Sequence, residues 1–585
     1  KMEQELITLG ILFSFALVGG ILATKFKQPI LLGLLLVGAV IGPKALGLVH
    51  DAHIMEPMIE FGAILMLFVL GLEFDIPRLK KIGIKAILIA VLNSALLTFI
   101  GFIVSVGIGF DIQTALFMGV ILAFGSTVVI VKVLENKGMM DRQEVPLLIA
   151  ILIIEDIIAV IVITFFSGMS DKSTSLLSNI EGLIISMIIL VVAYILFIRF
   201  IKPVLAWLIK SNNSEEITVF TALGLCAGFA YFAYALKLSP AVGAFLAGSI
   251  VASLPNSKSF EHAVAPYNLI ISSFFFIAIG TLIDFAAIMD NIMIILVLVA
   301  TVMITKIVAF SGLVYFFANM KGDKMFFSSI AMFSVGEFSL LVAKEATKFN
   351  IGVDLVSIAA AIIAVSAILM SFVINYSDKM YAPTMENMPY TLRKKMEGVS
   401  SYVKSLSDEL DINNKNSEAL KSNMGKTFAG FFISMLLVFG WRRLANYLVE
   451  SGVSMSAVNT GMIAIMGLIA CSLFYSVYHS KKVSRTFAEI FGNATNTRNA
   501  VQNRKVVARA FWAITNLSII LASPFILFMF NAGRIYIIVP VILIIILIYQ
   551  ISKLTETATS ESSDYYSTSK KFEYSVKNHN SGWKI

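Results

Sequence analysis

Long apolar runs separated by short polar turns dominate the first 376 residues of this chain. A helix needs about 20 mostly apolar residues to cross a bilayer whose hydrocarbon core is roughly 30 Å thick. Thirteen runs approach that length, although several are short or contain glycine. They lie near residues 6–23, 28–43, 58–74, 82–108, 113–134, 146–167, 179–209, 216–236, 239–254, 264–284, 291–318, 325–344 and 352–376. This pattern predicts an all-α polytopic membrane protein with thirteen crossings in its first part.

A polar stretch and four further apolar runs follow. The runs lie near residues 426–448, 456–478, 507–530 and 533–551. We therefore expect a transmembrane domain over 1–380, a polar cytoplasmic linker over 381–425, a four-helix transmembrane region over 426–555 and a polar cytoplasmic tail over 556–585. The sequence predicts no particular role for the residues that follow 376.

Composition and charge agree with a membrane protein. The chain of 585 residues is 58% hydrophobic and only 14% charged, which excludes a soluble enzyme of ordinary composition. The net charge of +8 could suggest nucleic acid, but the Lys and Arg residues lie between the apolar runs and set topology instead. The loops between the thirteen runs fall on two sides of the membrane in alternation. The loops of one side carry fifteen basic residues, and those of the other side carry six. Since cytoplasmic loops are the basic ones, we expect the N-terminus outside, residue 377 inside and an odd number of crossings.

Other chemistries have no visible residues. Cys226 and Cys471 each lie inside an apolar run, so both are predicted to be buried thiols. The five histidines do not cluster with cysteines as a structural zinc site would require. No Gly-rich phosphate loop or catalytic Ser/His/Asp grouping is present, so we expect neither an enzyme nor a cofactor.

Three ionisable residues fall in the middle of apolar runs, where a charge costs a few kcal/mol or more. Glu155 and Asp156 are central in run 146–167, and Lys306 is central in run 291–318. Adjacent helical positions point about 100° apart, so the two acids must face different surroundings. A carboxylate can hold a proton or a small cation, and the lysine can neutralise one acid when the other is empty. The alternative is a purely structural ion pair between helices.

Two further runs carry small and polar residues at their centres, in similar positions of the two halves. These residues are Gly125, Ser126 and Thr127 in the first run, and Ser334, Gly336, Glu337 and Ser339 in the second. Such interruptions point to broken helices that form a transporter site, although close helix packing is the alternative. Glu73 and Asp75, beside Arg78, are either part of an ion entrance or a surface ion pair.

Six segments occur together in an order that resembles one family. They are GLEFDIPRL (71–79), FGSTVVIVKVLENKG (124–138), LSPAVGAFLAGSIVA (238–252), FFFIAIGTLIDF (274–285), ITKIV (304–308) and SVGEFSLLV (334–342). The chain is similar here to the monovalent cation:proton antiporters, specifically the Kef-type branch. This resemblance implies a thirteen-helix fold of two inverted repeats, two crossing broken helices, an elevator movement of a core domain, and a homodimer.

The resemblance also implies roles for individual residues. Asp156 would bind Na⁺ or K⁺ and a proton in turn, and Lys306 would pair with Glu155. Ser126 and Thr127 would lie beside the ion at the first break, with Gly336 and Glu337 at the second. Potassium-efflux relatives carry Gln where this chain has Glu155, and typical electrogenic sodium exchangers carry Asp. A second acid permits a two-proton cycle, but pairing with Lys306 would make electroneutral exchange equally possible.

Potassium-efflux relatives also carry a cytoplasmic nucleotide-binding domain, whereas residues 377–585 show no Gly-rich phosphate loop. The expected function is a secondary antiporter that exchanges Na⁺ or K⁺ for protons across a prokaryotic plasma membrane. Its expected partners are these ions, membrane lipid and a second copy of the chain. A gated cation channel on the same scaffold and a non-transporting ion sensor are the alternatives.

Overall fold

The computed structural model describes most of the first 377 residues. The described ranges are 2–26, 28–49, 52–73, 76–169, 176–203, 215–254, 257–320, 322–349 and 351–377, with scattered residues between 419 and 550. Regular structure in these ranges is helical, apart from one isolated antiparallel bridge between Gly125 and Val335. The predicted all-α class is therefore confirmed.

Seventeen α-helices are described up to residue 377. They are Met2–Lys25 (α1), Ile30–Ile41 (α2), Ala52–Glu73 (α3), Ile76–Ile108 (α4), Ile112–Ile121 (α5), Thr127–Asn136 (α6), Val145–Met169 (α7), Leu176–Leu196 (α8), Glu215–Ala235 (α9), Pro240–Ala252 (α10), Ser257–Gly280 (α11), Phe285–Asp290 (α12), Ile292–Thr305 (α13), Ser311–Phe317 (α14), Asp323–Ala331 (α15), Phe338–Ala346 (α16) and Leu355–Val373 (α17). Short π-helical turns follow α8 and α13, over Phe197–Ile201 and Lys306–Phe310, and a 3₁₀ turn over Ile374–Tyr376 follows α17.

Each of the thirteen predicted runs coincides with one of these helices or with a consecutive pair. Within the described ranges, seven helical segments are long and apolar enough to cross a membrane by length and composition. Their outer surfaces are apolar too: Leu17 is 66% exposed, Met293 72% and Phe372 64%. Large exposed apolar side chains of this kind are suited to lipid rather than to water. The chain is a multi-pass membrane protein, whereas the exact number of crossings stays a prediction.

Two groups of helices pack within the compact unit formed by Lys1–Asn387 and Leu521–Ile538. The first group contains α1 to α3 and α9 to α11, and the second contains α4 to α7 and α13 to α17. Glycines let α3 and α10 approach closely in the first group. A Cβ atom on Gly248 would lie 2.0 Å from the carbonyl oxygen of Phe68, and one on Gly71 would lie 2.2 Å from that of Phe245. The second group holds both broken helices and all three central ionisable residues.

The four additional helices predicted after residue 425 lie mostly outside the described residues, as does most of the linker and all of the tail. One described part belongs to the third of these runs. The ring of Phe525 lies 5.8 Å from that of Phe165 and 6.3 Å from that of Phe166, measured between centroids. This segment therefore packs on the C-terminal end of α7.

The two cysteines differ in burial. Cys226 is buried as predicted, whereas Cys471 is exposed, so the prediction for Cys471 was wrong. An apolar run does not imply burial inside the protein when the surrounding solvent is lipid, because lipid tails are as apolar as a leucine side chain.

Candidate ion-binding site

The first broken helix is interrupted between α5 and α6. Ser126 precedes α6 in an extended conformation, with φ −89° and ψ 105°, and its Oγ accepts a hydrogen bond of 3.3 Å from the backbone N–H of Val129. Serine is a favoured residue at a helix N-terminus because its side chain satisfies a backbone donor there. The sequence thus ends one helix and begins another in the middle of an apolar run.

The second broken helix, α15 and α16, crosses the first at its own interruption. The backbone N–H of Ser126 donates to the carbonyl oxygen of Ser334 at 3.1 Å, and that of Gly336 donates to Phe124 at 2.9 Å. Breaking a helix frees backbone groups that lipid cannot satisfy, so each extended segment supplies partners for the other. The approach is close enough to require glycine, because a Cβ atom on Gly336 would lie 2.5 Å from the carbonyl oxygen of Gly125.

Glu155 is fully buried in the middle of α7 and is held from three directions. Its Oε1 accepts a hydrogen bond of 2.5 Å from the amide of Asn93 on α4, and its Oε2 accepts one of 3.0 Å from the N–H of Gly125. The ammonium group of Lys306 lies 3.9 Å from Oε1. Lys306 therefore lies within ion-pair distance of Glu155, the partner that the family resemblance implies for it.

Asp156 faces a different neighbour, as expected for an adjacent position on a helix. Its Oδ2 accepts a hydrogen bond of 2.9 Å from the hydroxyl of Thr127, the first residue of α6. Asp156 is only 2% exposed, so its carboxylate lies in the protein interior beside the start of a helix. The N-terminal end of a helix carries partial positive charge, which favours an anion at this place. The Asp156 carboxylate and the Thr127 hydroxyl provide oxygen atoms of the kind that alkali cations bind.

Glu337 is the third acid at the crossing. The Ser126 hydroxyl donates to its Oε2 at 2.9 Å. A small cavity adjoins both residues and has a water-accessible volume of about 10 Å³, which is room for roughly one water molecule. Apolar side chains form the rest of its wall, namely Leu31, Leu32, Leu35, Val129, Phe276, Leu340 and Ile363.

Not every predicted residue at the breaks contacts an acid. The Ser339 hydroxyl donates to the carbonyl oxygen of Ile121 at 2.5 Å, where it satisfies the end of α5. The Ser334 hydroxyl donates to the carbonyl oxygen of Val335 at 3.4 Å. Both serines therefore serve the backbone of the crossing. The ion entrance predicted from Glu73 and Asp75 cannot be placed, because Asp75 and the side chain of Glu73 lie outside the described residues.

Two residues that make hydrogen bonds at the crossing or to Glu155 were not predicted from the sequence. Asn93 is the amide that binds Glu155, and Ser366 on α17 accepts a hydrogen bond of 3.0 Å from the N–H of Val335. Asn93 left a usable signal, because it is the one amide side chain in the apolar run 82–108. Serines are common in apolar helices, so Ser366 left none. Within the described part of the chain, no group of three or more acidic, His or Cys residues is arranged to hold a metal ion.

Comparison with known proteins gives one family and several relatives. Residues 12–376 match the family model described as sodium/hydrogen exchanger, transmembrane. The chain is 28% identical over 375 residues to the iron transporter MagA of Paramagnetospirillum magneticum, a match that covers 64% of this chain and 84% of that protein. It is 31% identical over 343 residues to the Na⁺/H⁺-K⁺ antiporter GerN of Bacillus cereus, covering 57% and 85%. It is 31% identical over 313 residues to the glutathione-regulated potassium-efflux system protein KefC of Escherichia fergusonii, covering 52% and 48%.

Proposed function

Because this chain belongs to the sodium/hydrogen exchanger transmembrane family, we propose that it exchanges Na⁺ or K⁺ for protons by alternating access, with Asp156 binding cation and proton in turn. The family consists of transporters, which confirms the expectation that the chain is not an enzyme. The resemblance to cation:proton antiporters is confirmed as well. Relatives named for Na⁺, K⁺ and H⁺ support these ions as cargo.

The burial of Asp156 beside the break of the first crossing helix carries this proposal. Glu155 has a basic neighbour, because the ammonium group of Lys306 lies 3.9 Å from its Oε1. Asp156 is held by the neutral hydroxyl of Thr127, whose oxygen can also coordinate a cation. Asp156 and Thr127 therefore offer a cation two oxygen ligands at the start of α6.

The cost of a buried charge explains why the two cargo ions would exchange. A bare carboxylate at bilayer depth costs a few kcal/mol or more, whereas a proton or a monovalent cation neutralises it. A movement of the site across the membrane is therefore favoured when Asp156 is loaded and opposed when it is empty. Proton flux and cation flux are coupled because both use the same carboxylate.

Membrane placement and assembly complete the proposal. We place the N-terminus outside and residue 377 inside a prokaryotic plasma membrane, in a homodimer without a cofactor. Contacts between loops support this grouping of sides: the Lys324 ammonium donates to the Gln143 side-chain oxygen at 2.6 Å, and Lys44 lies 3.4 Å from Asp284. Each contact joins two loops that the distribution of basic residues places on the same side of the membrane.

The test uses purified protein in liposomes with an imposed pH gradient and an internal pH dye. Adding Na⁺ or K⁺ should move protons, and Asp156→Asn should abolish this movement while the variant still inserts. Asp141→Asn is the matched control, because Asp141 lies exposed in the loop between α6 and α7. Full exchange by Asp156→Asn would contradict the proposal. Tracer cation flux without proton movement in the wild type would favour a channel, and ion-dependent stabilisation without flux would favour a sensor.

A further inference from the structure

Asn93 lies at the centre of α4 and is only 1% exposed. Its amide reaches across to α7 and donates to Glu155 Oε1. A buried amide is costly unless its polar atoms are satisfied, so a carboxylate partner explains its presence in an otherwise apolar helix. Asn93 has no part in binding cargo in the proposal above.

The donors around Glu155 differ in an informative way. The two neutral donors, Asn93 and the N–H of Gly125, each occupy one carboxylate oxygen at hydrogen-bond distance. The charged donor stays farther away, since Lys306 Nζ is 3.9 Å from Oε1. Among the described residues, Lys306 Nζ makes no hydrogen bond, and the aromatic ring of Phe310 lies 5.2 Å from it. The Lys306–Glu155 pair is therefore electrostatic but not hydrogen-bonded.

We propose that Asn93 is a positioning residue that satisfies Glu155 Oε1 and so keeps Lys306 loosely paired and able to follow the charge on Asp156. This inference rests on the proposed exchange function. When Asp156 has released its cargo, its negative charge attracts Lys306. When a cation or proton binds to Asp156, that attraction is lost and Lys306 returns to Glu155.

A neutral amide suits this role for a physical reason. It satisfies the carboxylate oxygen without adding charge, so Glu155 keeps its hydrogen bonds whichever acid Lys306 faces. Without the amide, Lys306 would become the main donor to Oε1 and could close to the 2.7–2.9 Å typical of charge-assisted hydrogen bonds. A lysine held there would no longer compete with the cation at Asp156.

The decisive variant is Asn93→Leu, which has a similar volume but no donor. With Lys306 held on Glu155, the cation should bind more tightly and leave more slowly. We expect the KM for the cation and kcat to fall together, each by about tenfold, because one hydrogen bond to a charged group has an effect of at least this size. Asn93→Gln keeps an amide and should restore the wild-type KM.

A matched control is available on the same helix. Ser94 is adjacent and buried, and its hydroxyl makes no hydrogen bond among the described residues, so Ser94→Ala should leave both constants unchanged. A leucine variant with lowered kcat and an unchanged or raised KM would show a merely structural role and would overturn the inference. If Asn93→Leu does not reconstitute, Asn93→Ala removes the same donor and is judged by the same criterion. Absence of exchange in the wild type would instead refute the proposed function itself.

Discussion

Replacing Gly336 by alanine tests whether the crossing of the two broken helices holds the site together. The added Cβ atom would lie 2.5 Å from the carbonyl oxygen of Gly125 and 2.8 Å from its carbonyl carbon. Ordinary contact begins at 3.4 Å, so the two extended segments must move apart by about 0.9 Å. Both neighbouring atoms belong to the backbone, and therefore no side-chain rotation can relieve the clash.

The energetic cost follows from what this separation breaks. The two backbone hydrogen bonds of the crossing, now 2.9 and 3.1 Å long, would exceed hydrogen-bond distance if the displacement fell along them. Each such bond contributes roughly 0.5–1.5 kcal/mol, and overpacking adds roughly 1–3 kcal/mol, so we expect about 2–6 kcal/mol of destabilisation. The N–H of Gly125 and the hydroxyl of Thr127 would shift with the segment, away from Glu155 and Asp156. A displacement near 1 Å in a catalytic site can lower the rate about a hundredfold, and we expect a similar loss of exchange.

The assay compares apparent melting temperature in detergent with exchange rate in liposomes. Gly312→Ala is the control, because nothing lies within 4 Å of a Cβ added there and alanine favours a helix over glycine by about 1 kcal/mol. We expect the control to be at least as stable as the wild type and fully active. A Gly336→Ala variant with unchanged melting and unchanged exchange would refute the reasoning, since it would mean that the segments do not meet as closely as described.

The ion pairs of Lys306 and Lys344 should differ widely in their contribution to stability. Lys306→Met leaves Glu155 without its buried basic neighbour and should destabilise the protein by about 3–5 kcal/mol, while the double variant Lys306→Met/Glu155→Gln should regain most of this loss in melting temperature. A double variant no more stable than the single one would show that the two charges do not compensate each other. Lys344→Met removes the ion pair between Lys344 Nζ and Glu60 Oε1, which lie 4.0 Å apart, and the Glu60 side chain is 66% exposed. This variant should change stability by less than about 1 kcal/mol, because solvent screens an exposed pair. A larger loss of melting temperature would contradict that view.

Some features of the site are predictable from sequence because they contrast with an apolar background. Glu155, Asp156 and Lys306 stand out in this way, and so do the interruptions that contain Gly125 and Gly336. The same contrast predicts that the two acids face different neighbours, because adjacent helical positions cannot point in one direction. These inferences need only local spacing, and local spacing is what a single sequence contains.

Other features depend on contacts between distant parts of the chain. Asn93 becomes a partner of Glu155 only when α4 lies beside α7, 62 residues away in sequence. The π-helical turn that begins at Lys306 has no signature in the residues that form it, and such turns are frequent at functional sites. The exposure of Cys471 shows that burial cannot be predicted from an apolar run alone, because apolar residues in a membrane protein face lipid as readily as they face the core.

The polar residues at the crossing divide into two sets with different duties. An interrupted helix leaves several backbone N–H and C=O groups without intrahelical partners at each new end, and in a bilayer they must be satisfied by protein. Ser339 does this by donating a hydrogen bond to the backbone of the opposite broken helix, and Ser366 does it by accepting one from the N–H of Val335. Both serines therefore offset the cost of breaking the helices. Thr127 instead contacts Asp156. Small polar residues in a broken helix therefore indicate the crossing as a whole, and contact with Asp156 is what links Thr127 to the cargo site proposed above.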